Sequence, residues 1–215
     1  MTPEQIEAMR RAADAPEIAD AAGADAAAHD LSAAFVADPV FNWFSRPDGR
    51  RAAARLAFFR FLMKEMVVGV GEVMRPSTGG GAAVWMTSES LGPNSIWQEL
   101  QALPVLIGLS GPGRFGRLVR LRGVMDAHHP MDRPHDYLWF LGVTPEAQGH
   151  GVGSRLIKAR LGALDAKGRP AFLETATEAN VRLYSRHGFE VIGEYNAPPD
   201  GPKNWAMWRE PKAVA

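Results

Sequence analysis

The spacing of apolar residues changes period along the chain, from helical in the first half to short alternating runs in the last third. Between about Ala26 and Phe44, Leu31, Ala34 and Phe35 recur at helical spacing, with Val36 beside them. Asp38-Pro39 predicts the end of that helix, because the residue before a proline is pushed out of helical geometry. A second helix is expected over Arg51–Val67, with Leu56, Phe59, Leu62, Met63 and Met66 on one face. Val70–Arg75 and Ala82–Thr87 then read as strands, separated by Gly79-Gly80-Gly81. Helical patterns over Ser95–Leu109 and Phe115–Ala127 lie on either side of Gly111-Pro112-Gly113. The last third alternates quickly, with strands expected at Asp136–Val143, Ala171–Thr175, Phe189–Tyr195 and Lys203–Arg209. Helices at Gly151–Lys167 and Glu178–His187 fall between them. This pattern predicts an α/β (α+β) domain with a mixed central sheet flanked by helices. Residues 1–25, rich in alanine and acids, read as a helical or flexible extension, and residues 26–211 as a single domain.

Composition narrows the chemistry. The 215 residues are enough to bury a core without metal or disulfide staples. Lys plus Arg and Asp plus Glu are 24 each, and zero net charge argues against a nucleic-acid partner, whose phosphates reward a basic excess. With no cysteine, disulfides, thiol nucleophiles and thiolate metal sites are excluded. The first ten residues lead into no apolar signal region, and the apolar stretch Leu103–Leu109 is too short to span a bilayer. The expectation is a soluble, cytoplasmic protein without a membrane partner.

The run Tyr137-Leu138-Trp139-Phe140-Leu141-Gly142-Val143 is too short and aromatic for a good helix and reads as a buried strand. Thr144-Pro145 stops it, and Gln148-Gly149-His150-Gly151-Val152-Gly153-Ser154 opens a helix carrying Leu156, Ile157 and Leu161. Glycines there let the backbone approach a ligand closely, while unpaired N–H groups and the helix dipole favour an anion such as pyrophosphate. A nucleoside-triphosphate P-loop needs a Gly-Lys-Ser/Thr step that is absent. A dinucleotide fingerprint needs its third glycine one residue later than Gly153, although Glu174 lies about twenty residues on. A glycine-rich turn that only caps the helix is the remaining structural reading.

Gln148-Gly149-His150-Gly151-Val152-Gly153 resembles the Gln/Arg-x-x-Gly-x-Gly/Ala motif of the GNAT (GCN5-related) N-acetyltransferase superfamily. The likeness extends from about Ala82 to Arg209, and Asp38-Pro39-Val40-Phe41-Asn42-Trp43 resembles a bacterial branch. A second element, Asn180-x-x-x-Tyr184-x-x-x-Gly188-Phe189, is similar to that superfamily's signature. Asn180 and Tyr184 are four residues apart and share a helix face. The resemblance implies acetyl-CoA as co-substrate, an amine acceptor and no metal. It implies that Leu141 and Val143, with Gly142 between them, pair with the pantetheine amides. Asn180 would bind the pantetheine arm and Tyr184 would protonate the leaving thiolate. A homodimer is the family-level expectation.

The general base is the gap. Many members place a glutamate where Tyr137 stands, leaving Asp136 and His135 as the nearest substitutes. That gap sustains an alternative, a non-catalytic acyl-CoA-binding or sensing module. The segment Asp126, His128, His129, Asp132, His135, Asp136 reads as a solvated or substrate-lining connector rather than a metal site. Arg114, Arg117, Arg120 and Arg122 read as a solvated face, with an anionic group such as the CoA 3′-phosphate as the alternative. Trp85 reads as core, with an aromatic acceptor pocket as the minor alternative.

Overall fold

The computed structural model describes residues 1–67, 69–92, 96–198 and 200–213, without the side chains of residues 65–67 and 96–99. The predicted helix start at Ser95 and the side chain of Met66 lie outside the described residues. Eight α-helices are described: α1 (Pro3–Asp14), α2 (Ala21–Ala34), α3 (Pro39–Phe44), α4 (Arg51–Phe61), α5 (Ile96–Ser110), α6 (Phe115–His128), α7 (Val152–Ala166) and α8 (Glu178–Arg186). Seven strands, β1 (Glu17–Ile18), β2 (Glu72–Arg75), β3 (Gly81–Thr87), β4 (Asp136–Val143), β5 (Ala171–Thr175), β6 (Glu190–Asn196) and β7 (Lys203–Arg209), form one sheet. Its order is β1-β2-β3-β4-β5-β7-β6. Every neighbouring pair is antiparallel except β4 and β5. Among the described residues, no helix is long and apolar enough to cross a membrane.

The predicted stop at Asp38-Pro39 is where the first long helix breaks. A short 3-10 turn follows Ala34, Asp38 is extended, and its carboxylate caps α3 by accepting from the Phe41 N–H at 2.8 Å. The first residues also fold as regular elements. A capping box between Thr2 and Gln5 starts α1, and Met9 and Ala13 of that helix are buried in the main core. β1 adds an edge of two residues, too short for any periodicity to show.

Helices cover both faces of the sheet. On one, α1, α7 and α8 pack on Met74, Ala83, Trp85, Leu138, Leu173 and Met207. On the other, α2, α4 and the π-helical turn that follows α4 (Leu62–Val67) meet Val73, Ala82 and Val84 through Leu31, Phe59, Leu62 and Met63. β3, with six of its seven residues buried, accordingly reads as a continuous apolar run.

Two features of β4 shape the centre. Its pairing with β5 covers only Asp136↔Ala171, Tyr137↔Phe172 and Leu138↔Leu173, after which the strands diverge. Beside that point its register with β3 slips between Val84↔Phe140 and Trp85↔Leu138, which leaves Trp139 as an extra residue. The bulge resets the side-chain alternation. Leu138 and Leu141 pack on the α7 face, while Trp139 and Phe140 both join the opposite clusters. Gly142 then faces α2 so closely that an added Cβ would stand 2.8 Å from the Ala34 Cβ and from Leu31 Cδ2. Gly142→Ala should therefore cost about 1–3 kcal/mol through overpacking, read as a lower urea midpoint with an unchanged slope.

Candidate active site

The site grows from the divergence of β4 and β5. Residues 140–143 of β4 pair only with β3, and Glu174 and Thr175 of β5 pair only with β7, so the two inner strand edges are open to each other. The crossover between the strands supplies the floor. Gly149 and Gly151 adopt left-handed φ angles of 78° and 80°, and a Cβ at either would meet nothing within 4 Å. These glycines are thus required by backbone conformation, and the space beside them is open. Gly151 is the N-cap of α7 and offers no side chain to its amides. The first N–H groups of α7, at Val152, Gly153 and Ser154, point where an anion would sit.

The loop is anchored from several directions. Gln148 Nε2 donates to the Val143 carbonyl at 3.0 Å, fixing the end of β4 to the loop. Arg10 of α1 donates to the His150 carbonyl at 3.0 Å, and Arg155 pairs with Asp14. Ser154 Oγ lies 2.7 Å from His187 Nε2, tying the start of α7 to the end of α8. Burial and the cations Arg186, Arg209, Lys212 and Lys158 hold the His187 pKa below its ordinary value.

Tyr184 is buried on the α7 face, edge-on to Phe189 at 5.9 Å between ring centroids. Half-buried Asn180 lies one turn earlier, and Thr177 caps that helix. Burial raises the Tyr184 pKa, and the charge of Asp38 raises it further. Asp38 is the N-cap of α3, and its charge reaches the phenol. Tyr184 is therefore a proton donor throughout the physiological range. Asp38 itself is pushed up by burial, partly offset by backbone N–H groups of Phe41 and Val40.

The other face carries a carboxylate that the sequence reading mentioned only as a dinucleotide marker. Glu174, the first residue of β5 beyond the last β4 rung, accepts from Tyr137 Oη at 3.0 Å and also from Tyr195 Oη. Burial pushes its pKa up to about 7, against the lowering effect of the two phenols. His128 of α6 stacks on Tyr195 at 4.3 Å, and its charge and that of Asp126 act on Glu174 in opposite directions. The signal available in the sequence was one acid within the apolar strand Ala171–Thr175.

The substitutes considered for a base fall elsewhere. Asp136 is buried at the closed end of the strand pair, held by Arg160 at 2.6 Å and by Arg169. His135 is fully buried, with Nε2 3.0 Å from His129 Nε2 and Nδ1 2.8 Å from the Arg133 carbonyl. Desolvation lowers the pKa of both histidines, that of His129 to about 4. Neither Asp136 nor His135 reaches the opening. Their segment is thus exposed at Asp126, His128 and Asp132 and packed only towards its end at His135 and Asp136, and no metal-binding group of three appears among the described residues.

Of the four arginines, Arg122 is on a solvated face beside Asp126 and Arg120 is exposed, but Arg114 and Arg117 are not. Arg114 donates to the carbonyls of Asn42, Trp43 and Ser45, Arg117 to Trp43 and Asp200, and Arg120 to Pro198. They bind α6 to the end of α3 and to the turn before β7. Trp85 is wholly buried in the α7-side core, which removes it from any acceptor pocket.

A strand pair that opens above the uncapped start of a crossover helix defines a GNAT-type acyltransferase fold. The comparison of families agrees, because residues 116–191 match the model described as an acetyltransferase (GNAT) domain. That match spans 76 of the 215 residues. It is similar to a solved structure from Corynebacterium glutamicum described as histone acetyltransferase HPA2 and related acetyltransferase. Identity is 25%, the TM-score is 0.67, and the match covers 93% of this chain and 97% of that one. The same fold occurs in arylalkylamine N-acetyltransferase 2 from Aedes aegypti, at 17% identity and a TM-score of 0.57, covering 92% of this chain and 98% of that one. It occurs too in the Drosophila melanogaster polyamine N-acetyltransferase, at 15% identity and a TM-score of 0.58, covering 91% and 98%.

Asp136→Asn should lower stability by about 3–5 kcal/mol, because it leaves two partly buried guanidiniums short of their counter-charge. Urea denaturation measures this, and a variant with wild-type stability would show that Asp136 is not the structural anchor described.

Proposed function

We propose that this protein is an acetyl-CoA-dependent N-acetyltransferase that moves an acetyl or other short acyl group to an amine. The observation that carries the reading is the opening between β4 and β5, with an uncapped helix start below it and Tyr184 at its side. The amides of Val152, Gly153 and Ser154 would hold the pyrophosphate, with Gln148, Gly149, His150 and Gly151 shaping the loop. The open edge at Leu141, Gly142 and Val143 would pair with the pantetheine amides as an added strand. The Val143 carbonyl, already bonded to Gln148, keeps a second lone pair for that purpose. Asn180 would complete the binding of the pantetheine arm.

Bound there, acetyl-CoA supplies an activated thioester. The acceptor would arrive from the face of α2 and α6, opposite Tyr184. The carboxylates of Asp38 and Glu174 near that entrance favour a protonated primary amine. Tyr184 would donate to the sulfur as charge develops on it and supply the proton with which the thiol departs. Burial keeps that proton in place until it is used. No metal is needed in this scheme.

Saturating acetyl-CoA should raise the melting temperature by roughly 5–10 °C, the consequence of about 2.7 kcal/mol at a hundredfold excess over Kd in a chain of this size. Gly151→Val, forced from its left-handed φ, should lose most of that shift. Thiol release with agmatine, phenethylamine and a lysine-containing peptide then measures turnover. Tyr184→Phe should reduce kcat about 100-fold or more while keeping the thermal shift. Wild-type turnover in that variant would remove Tyr184 from the mechanism. A shift without thiol release for any amine would favour the non-catalytic acyl-CoA-binding module, and no shift would overturn acyl-CoA binding.

A further inference from the structure

The carboxylate of Glu174 lies on the face of the sheet opposite Tyr184, at the strand edge left open where β4 diverges. We propose that Glu174 is the general base that deprotonates the acceptor amine, with Tyr137 and Tyr195 as the residues that position it. This assignment rests on the N-acetyltransferase reading above.

Three observations support it. First, Tyr137 and Phe172 form a cross-strand pair, so strand alternation puts Glu174 on their face, one step toward the opening. The Tyr137 hydrogen bond confirms that side of the sheet. Second, each carboxylate oxygen accepts one phenolic proton, from Tyr137 at Oε2 and Tyr195 at Oε1. Two such bonds fix the carboxylate and leave lone pairs for a substrate N–H. Third, no cation forms an ion pair with Glu174 among the described residues, whereas Asp136 holds two guanidiniums. The groups acting on it are the Tyr137 phenol of β4, the Tyr195 phenol of β6, and His128 and Asp126 of α6. A partly exposed carboxylate in that setting can gain and lose a proton near neutrality, as its pKa of about 7 requires.

The step balances without a further reactant. The acceptor ammonium gives one proton to the Glu174 carboxylate. Its freed nitrogen lone pair forms the C–N bond at the thioester carbonyl, and the C–S bond breaks with its electron pair passing to sulfur. Tyr184 protonates that sulfur. The second nitrogen proton and the proton held by Glu174 leave to solvent or return to the phenol. Base and acid thus stand on opposite faces of one opening, each beside the atom it serves. Tyr137 occupies the place where a glutamate was expected and instead orients the glutamate of the next strand.

The test uses the full-length chain with acetyl-CoA and saturating agmatine, phenethylamine or the lysine-containing peptide, whichever the wild type turns over. The wild-type kcat should rise with pH through an apparent pKa of about 7. Glu174→Gln should lose about 100-fold or more in kcat near neutrality, lose that limb, and keep the acetyl-CoA thermal shift. Tyr137→Phe removes a bond that lowers the Glu174 pKa, so its limb should move to higher pH. Folding supplies an independent readout. A carboxyl pKa raised in the folded state contributes stability below its unfolded value of about 4.5, and that contribution is lost as pH rises through about 7. At pH 8, Glu174→Gln should therefore melt no lower than the wild type. A variant that keeps kcat within about threefold and retains the limb overturns the assignment, as does an unmoved limb in Tyr137→Phe. Absence of wild-type turnover overturns the N-acetyltransferase reading itself, and the base with it.

Discussion

The separation of β4 from β5 after a third rung is the constraint from which the rest of the centre follows. A sheet interior normally satisfies its backbone groups strand to strand, and an unpaired edge in the middle of a sheet is costly unless something else completes it. Here the bulge at Trp139 and the close packing of α2 on Gly142 fall in the part of β4 that has left β5. The energy lost in pairing is offset by packing of β4 on both helical layers. The open edges that result make a site for an extended ligand chain. A closed pair would leave Tyr184 and Glu174 walled off from one another by strand backbone.

The electrostatics are divided in the same way. At the closed end of the pair, Asp136 is bound by Arg160 and Arg169, which also reach Glu72 and Glu89. Among the described residues no ion pair forms at Glu174, which stands among phenols, or at Asp38, which stands among backbone amides. The same residue type is thus made structural at one end and titratable at the other by what surrounds it. Arg114, Arg117 and Arg120 reinforce this division, since backbone carbonyls of α3 and of the turn before β7 occupy them.

Local signals in the chain carried much of this. Asp38-Pro39 stops a helix through steric exclusion, the loop glycines take left-handed angles, and the Asn180–Tyr184 spacing puts both on one helix face. Each of these is decided within a few residues. Glu174 was hidden because its character arises from non-local pairing. Tyr137, Glu174 and Tyr195 come from three strands, and β7 inserts between β5 and β6. In sequence Glu174 is a single polar residue in an apolar run, and only the fold supplies the burial and the two phenols. Arg114 and Arg117 misled for the same reason, because their partners are carbonyls some 70 residues away. Trp85 had no distinguishing neighbour in sequence, and the layer of α7 settled its place.

Among the described residues β4 and β5 are the only parallel neighbours, and the chain joins them through a single crossover formed by residues 144–170. That crossover contains the glycine loop and α7, and α1 is fastened to it through Arg10 and Asp14. Whatever the loop holds is therefore gripped by the one connector between the antiparallel halves of the sheet. A guest that also lies along β4 bridges the connector and the strand it leaves. The loop and the open edge of β4 thus belong to the segment on which the covalent continuity of the two halves depends.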